Sequence, residues 1–144
     1  MQLTVHENWI EGDGVRFKGE YPVLSASLIH EHVLVIYDWM AFERSSPARN
    51  LFCYARAGSF IWRASDIGQG AVDAYTYITS ESPLWVGNFA GFNCRVDEAS
   101  GNVLEIYFNK LHLIYYSLRS RLCEFLTKNW RDYEKAKSIY RFIC

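Results

Sequence analysis

The fold is decided by three neighbouring segments: Val33-Leu34-Val35-Ile36-Tyr37, Asn50-Leu51-Phe52-Cys53-Tyr54-Ala55-Arg56 and Phe60-Ile61-Trp62-Arg63. Each is a short run of β-branched and aromatic side chains bounded by Gly, Pro, Asn or Ser. Such side chains pack well on a pleated sheet, whereas the small polar residues between the runs favour turns. The stretch therefore predicts three consecutive strands.

Strand signals continue on both sides of this stretch. Gly12-Asp13-Gly14 separates two alternating runs and predicts a hairpin, because these residues tolerate positive φ angles. The run 23–29 is predicted to pair with 33–37 across His30-Glu31-His32. Towards the C-terminus the predicted meander is completed by 73–79, 84–88, 91–97 and 102–109.

The periodicity changes at Lys110. Leu111, Ile114, Tyr115, Leu118 and Leu122 are spaced by three or four residues, which is the pattern of an amphipathic helix. We therefore expect a single domain over 1–144, with a β body at 1–109 and a helical C-terminal part at 110–144. The helical part could be one helix or two, with a break near 127–129.

The predicted fold class is mainly β with a C-terminal helix, that is, α+β. The strands are expected to form an antiparallel meander, either an open two-sheet structure or one resembling half a propeller. We expect this meander to pack against the long or broken helix. The apolar stripe of the same helix would also suit a homodimer interface.

Composition excludes several classes of protein. Half of the 144 residues are hydrophobic and 17% are aromatic, so the chain can bury a core and disorder is not expected. The sequence shows neither an export signal nor a window of the ~18 apolar residues that a membrane span needs. The four cysteines form no CxxC pair and are expected to be free thiols in the cytoplasm.

Charge is distributed unevenly along the chain. Residues 1–109 contain seven Lys and Arg against thirteen Asp and Glu, a net charge of −6, whereas residues 110–144 carry +5. An acidic body suits a basic protein partner, because opposite charge steers association. The basic segment could instead contact nucleic acid, although acidic residues interrupt it and a solvated helix face is favoured.

No catalytic motif, cofactor site or metal site is predicted. His30 and His32 have the spacing of a metal-binding pair but lack a third ligand nearby, so a polar turn is favoured. Gly68-Gln69-Gly70 lacks the remaining features of a nucleotide-binding fingerprint and predicts a loop. The neighbouring acids Asp97 and Glu98 fall in a predicted turn, where solvated side chains are expected.

The predicted binding residues are aromatic and acidic side chains in the β body. The loop that follows Tyr37 is long and begins with large apolar residues, which is typical of binding loops. Aromatic side chains supply affinity in protein interfaces, and charges steer the encounter. The candidate residues are Asp38, Trp39, Phe42, Glu43, Asp66, Asp73 and Trp85.

Two resemblances guide the functional expectation. The segments 50–54 and 61–63, with Gly58 between them, resemble a strand pair of quinoprotein-like propeller repeats, whose function needs many more blades. Over about 20–110 the chain looks like small bacterial proteins. The matching residues are Tyr21-Pro22-Val23, Val33 to Asp38, Asn88 to Phe92, Asp97, Gly101 and Phe108-Asn109-Lys110.

Some of these small bacterial proteins are immunity partners of polymorphic toxins, including those of contact-dependent growth inhibition systems. This resemblance implies a non-enzymatic, cytoplasmic protein that blocks a cognate toxin domain, with a nuclease as the expected toxin. It implies no role for any individual residue. Two alternatives stay open: a nucleic-acid-binding module that uses the basic C-terminal helix, and a small hydrolase with a scattered active site.

Overall fold

Residues 1–108 are described by the computed structural model, and they consist of short strands joined by tight turns. Two 3-10 turns, Trp39–Ala41 and Gly70–Val72, lie in the longer connections. The strands are β1 Thr4–His6, β2 Trp9–Gly12, β3 Val15–Lys18, β4 Val23–Ile29, β5 His32–Tyr37, β6 Leu51–Ala55, β7 Phe60–Arg63, β8 Tyr75–Glu81, β9 Leu84–Asn88, β10 Phe92–Val96 and β11 Val103–Phe108.

The strands form three antiparallel sheets in chain order. The N-terminal sheet contains β1-β2-β3, the central sheet β4-β5-β6-β7, and the C-terminal sheet β8-β9-β10-β11. Strands that follow one another in sequence also pair in space, because tight turns connect them. Ile29 pairs with His32, for example, so His30 and Glu31 alone form the turn between β4 and β5.

The central sheet is buried on both faces. Leu34 and Ile36 of β5 belong to a core cluster that also contains side chains of the C-terminal sheet. Val33, Val35 and Tyr37 point the other way, into a cluster shared with the N-terminal sheet. Because both faces of β5 are covered, the strand is a continuous apolar run rather than an alternating one.

Cys53 and Cys94 lie in the same core cluster, one from the central sheet and one from the C-terminal sheet. Both side chains are fully buried and both are free thiols. The prediction of free thiols is therefore confirmed for these two cysteines.

The predicted α+β class is wrong for the described part of the chain. Residues 1–108 are all β, and they form three sheets rather than an open two-sheet or half-propeller structure. The N-terminal strands form a sheet of their own, and Ile10 and Val15 from it pack in the core cluster on the second face of β5. The expected β-sheet content is confirmed.

Predictions for 110–144 lie outside the described residues. These are the long or broken helix, its packing on the sheet, the dimer seam and the basic surface for nucleic acid. Over the described range, no helix has both the length and the apolar character that crossing a membrane requires.

Candidate functional site

Connections gather at two ends of the paired sheets. At one end, here called the loop end, lie the connections 38–50, 64–74 and 89–91. Backbone hydrogen bonds join them: the Ala48 amide donates to the Asp73 carbonyl at 3.0 Å, and the Phe89 amide donates to the Ala74 carbonyl at 2.7 Å. The other end, the turn end, contains the β4–β5 turn and the β10–β11 turn.

The loop end presents the first part of the predicted binding loop in a fixed conformation. The Asp38 carboxylate accepts the Met40 amide at 2.9 Å and caps the short 3-10 turn. The rings of Trp39 and Phe89 stack with their centroids 5.8 Å apart, which joins this loop to the β9–β10 turn. Trp39 is half-buried as a result.

The second part of the loop is fixed by an aromatic contact and by hydroxyl groups. The Phe42 ring lies 4.6 Å from the Tyr21 ring, and the Arg63 guanidinium lies 5.3 Å from its centroid. Glu43 is exposed and accepts hydrogen bonds from the hydroxyls of Ser45 and Ser46. The carboxylate of Glu43 is thus held at the surface by its own loop.

The two predicted aspartates of the following connection have different surroundings. Asp66 is exposed, and its carboxylate accepts the Gly68 amide at 3.0 Å. Asp73 is only 1% exposed. One of its oxygens accepts the Asn88 side-chain amide at 2.8 Å, and the other accepts two backbone amides of the 64–74 connection. Asp73 therefore fastens this connection from inside, and Asp66 remains at the surface.

Asn50 occupies the centre of the buried polar groups at the loop end. Its side-chain amide donates to the carbonyls of Tyr37 at 2.8 Å and Tyr75 at 2.9 Å, and its oxygen accepts the Tyr75 amide at 2.8 Å. These bonds join the end of β5 to the start of β8. The network positions the loops but offers no polar group to a ligand, because its atoms already have partners.

Trp85 lies apart from the other predicted binding residues. Its neighbours Leu84 and Val86 point into the core, so Trp85 points to the outer face of the C-terminal sheet. There its ring lies 5.5 Å from that of Tyr107, which is 62% exposed. The structure therefore brings together Asp38, Trp39, Phe42 and Glu43, and separates Trp85 from them.

A cavity of about 240 Å³ opens at the turn end, between the β4–β5 turn and the β10–β11 turn. We call it the end pocket. Its walls are mostly apolar, and one carboxylate oxygen, Oε1 of Glu98, is buried beside it without a hydrogen-bond partner. The lining side chains include Ile29, His30, Cys53, Trp62, Leu84 and Glu98.

The end pocket does not have the chemistry of a thiol nucleophile. Burial, with a further contribution from the Glu98 carboxylate, raises the pKa of Cys53 to about 12. A cysteine acts as a nucleophile or metal ligand through its thiolate, and this thiol stays protonated at neutral pH. Cys53 therefore contributes an apolar wall rather than a reactive group.

The two histidines near the end pocket lie in different elements of the hairpin. His30 belongs to the two-residue turn with a φ of 52°, whereas His32 begins β5. Among residues 1–108 no group of three His, Cys, Asp or Glu side chains is arranged to hold a metal ion. The predicted polar turn is present at His30 and Glu31, whereas His32 belongs to the strand.

Sequence reasoning missed Glu98, which was expected to be a solvated turn residue. Its Oε1 atom is buried, and the backbone carbonyl of Glu98 accepts the Trp62 indole N–H at 2.8 Å. No local signal could have shown this, because the end pocket is assembled by residues far apart in sequence, such as His30 and Glu98. Only the packing of the two four-stranded sheets brings them together.

Comparison with known proteins identifies the family of the described domain. No curated protein and no solved structure matches the chain. Residues 1–108 match the family described as Domain of unknown function (DUF7957), and this range coincides with the all-β unit. Since the match covers three quarters of the chain, the protein belongs to the DUF7957 family.

Proposed function

We propose that this protein is a non-enzymatic immunity protein that binds a cognate toxin domain and blocks its active site. The observation that carries the proposal is the loop 38–50, which presents Glu43, Trp39 and Phe42 and which its own contacts hold in place at the loop end. Asp38 and Glu43 both accept hydrogen bonds from within the loop. A loop that is ordered before binding loses less conformational entropy when a partner docks.

Charge supports a basic partner. Residues 1–109 carry a net charge of −6, and Glu43 and Asp66 are exposed at the loop end. A nuclease binds the phosphate backbone through Lys and Arg. An acidic protein surface therefore complements the substrate groove of a nuclease and would compete with its nucleic acid. We accordingly propose a nuclease as the toxin and the cytoplasm as the place of binding.

Aromatic residues of the same loop would provide affinity. Trp39 and Phe42 are both half-buried, so each has a supported face and a solvent-facing part. Such aromatic anchors contribute much of the binding energy in protein interfaces, whereas peripheral charges mainly affect the association rate. Asp73 is excluded from this proposed contact surface because its side chain is buried.

The test begins with the product of the adjacent upstream gene, which we would co-express with this protein and assay for toxicity. Neutralisation of that toxicity, together with a stoichiometric complex, is the expected result. Full toxicity in the presence of this folded protein, with no complex formed, would overturn the proposal for that partner.

Charge reversal then locates the interface. Glu43→Lys and Asp66→Lys should each lower the association rate constant by roughly tenfold at low salt and weaken its salt dependence, because exposed charges steer the encounter. Glu31→Lys makes the same charge change in the β4–β5 turn, at the opposite end of the sheets, and serves as the control. Equal association rates for all three variants would remove the loop end from the interface.

A further inference from the structure

Glu98 lines the end pocket, and one of its two carboxylate oxygens, Oε1, is shielded from water and has no hydrogen-bond partner. Glu98 Oε1 has no hydrogen-bond partner although the rest of its side chain reaches solvent, with 43% of the side chain exposed. The His30 Nε2 atom lies 3.7 Å away, beyond hydrogen-bond distance. A buried acceptor of this kind is costly unless a donor reaches it.

The walls around this oxygen are apolar and fixed. Ile29 and Leu84 belong to the buried core cluster, so neither side chain is free to turn away from the end pocket. Trp62 belongs to the same cluster, and its indole is held by the hydrogen bond to the Glu98 carbonyl. An occupant would thus meet a preformed apolar wall with a single charged acceptor.

The size of the end pocket limits what it can hold. Its volume of about 240 Å³ is below the roughly 300–1,000 Å³ typical of sites for drug-sized ligands. A short aliphatic chain fits this space, whereas a nucleotide or a large cofactor does not. The apolar walls suit the methylene groups of such a chain.

The charge of the end pocket selects the polar group at the end of that chain. An anion would face the Glu98 carboxylate at close range and would lose its hydration as well. A neutral hydroxyl could donate one hydrogen bond to the carboxylate but would leave its negative charge unbalanced, whereas an ammonium ion donates a hydrogen bond and also balances that charge. Because Glu98 Oε1 is shielded from water, a neighbouring side chain has to move before an ammonium ion can reach it. His30, whose Nε2 atom lies 3.7 Å from this oxygen, can do so, since its side chain is 63% exposed.

We propose that the end pocket binds an alkylammonium group, with the methylene stem against Trp62 and Leu84 and the ammonium on Glu98 Oε1. The group would be carried by a lysine side chain of a protein partner or by a free small amine. The lysine source rests on the proposed function, whereas the ammonium site does not depend on it.

The probe for this site is n-butylammonium, which has the length and charge of a lysine side chain. The reporter is the Trp62 indole N–H resonance in a heteronuclear NMR titration of the full chain. We expect a saturable shift with a dissociation constant in the millimolar range. The neutral analogue n-butanol should produce at most a small shift that does not saturate.

Two variants distinguish binding of n-butylammonium to the Glu98 carboxylate from its general attraction to a negatively charged protein surface. Glu98→Gln keeps the length of the side chain and removes its charge, and it should weaken n-butylammonium binding by at least tenfold. Glu31→Gln removes an exposed charge from the neighbouring turn and should leave binding unchanged, since its side chain is 80% exposed. The same spectra show whether each variant is folded.

The proposal is overturned if n-butanol and n-butylammonium bind equally well, if Glu98→Gln binds n-butylammonium normally, or if the Trp62 resonance does not shift. If the site is confirmed, the effect of Glu98→Gln on the toxin complex identifies the source. Weaker complex formation indicates a partner lysine, and unchanged complex formation indicates a free amine. Failure of the toxin experiment alone would leave the NMR result intact.

Discussion

Two carboxylates at opposite ends of the paired sheets have contrasting environments. Asp73, at the loop end, accepts three N–H groups, from the Asn88 side chain and from the amides of Ile67 and Gln69. Glu98, at the turn end, has an oxygen that is equally removed from water but accepts none. The comparison shows that the role of a buried carboxylate oxygen depends on whether it accepts hydrogen bonds, and not on its burial alone.

The contrast distinguishes an acid that supports the fold from an acid that is able to bind a ligand. At the loop end the polar groups beneath the surface are satisfied, so any contact with a partner has to come from surface side chains such as Glu43. At the turn end an unsatisfied acceptor lies beside an open cavity, so a ligand can supply the missing donor. The same physical rule thus assigns a supporting role to Asp73 and a binding role to Glu98.

The largest expected loss of stability comes from replacing Asn50, the central residue of the buried hydrogen-bond network at the loop end. Asn50→Ala would remove three buried hydrogen bonds, those to the carbonyls of Tyr37 and Tyr75 and to the amide of Tyr75. Each unsatisfied buried group costs about 1–3 kcal/mol, so we expect the free energy of unfolding to fall by about 3 kcal/mol or more. Urea denaturation followed by tryptophan fluorescence would measure this change.

The control for Asn50→Ala is Asn102→Ala, because Asn102 is exposed in the β10–β11 turn. Surface substitutions of this kind usually change stability by less than about 0.5 kcal/mol. A loss of similar size in the two variants would contradict the view that the loop end depends on its buried network.

The strands were predictable because the signal is local. The aromatic runs predicted strands at 50–56 and 60–63, and the structure has them at Leu51–Ala55 and Phe60–Arg63. The division into three sheets was not predictable, because side-chain alternation does not say which other sheet will cover a face. The apolar run 33–37 was the one local indication that both faces of β5 are covered.

The candidate sites were harder to predict than the strands, because their character depends on distant contacts. Asp73 begins the predicted strand 73–79 and Glu98 follows the predicted strand 91–97, and both side chains were expected at the surface. Asp73 is buried because the 64–74 connection folds over it, and Glu98 reaches the end pocket because the β10–β11 turn packs beside Trp62. Neither of these packing arrangements produces a recognisable pattern in the nearby sequence.

The second effect concerns the turn that carries Glu98. Gly101 has a φ of +77°, and a Cβ atom at this position would meet the Trp62 ring, with Cδ2 only 2.8 Å away. Gly101→Ala therefore combines backbone strain of about 1 kcal/mol with overpacking of about 1–3 kcal/mol. We expect a loss of roughly 2–4 kcal/mol in the free energy of unfolding.

Gly68 provides the matched control for Gly101. Its φ is +74°, but a Cβ atom there would meet no atom within 4 Å. Gly68→Ala should therefore show the backbone strain alone, about 1 kcal/mol. The difference between the two losses of unfolding free energy measures how firmly Trp62 is held. Equal losses would show that the Trp62 side chain moves easily to make room for the added methyl group.

The smallest changes in stability are expected for Asp73→Asn and Glu98→Gln, which compare the two acids directly. In Asp73→Asn one oxygen becomes an NH₂ group that faces an N–H donor, so we expect a loss of about 2 kcal/mol. In Glu98→Gln the buried acceptor loses its charge and no hydrogen bond is broken. The ion pair with the exposed His30 side chain contributes little to stability. We therefore expect the free energy of unfolding of Glu98→Gln to stay within about 1 kcal/mol of the wild-type value, and to be slightly higher rather than lower.

Chemical denaturation of both amide variants at neutral pH would decide the matter. A loss of about 2 kcal/mol in Glu98→Gln would mean that the Glu98 charge stabilises the fold, and the end pocket would then have no unsatisfied acceptor to offer. A stability close to that of the wild type means that the folded chain gains no stability from the charge of this partly buried carboxylate. In that case the charge of Glu98 is available to a cation that enters from outside.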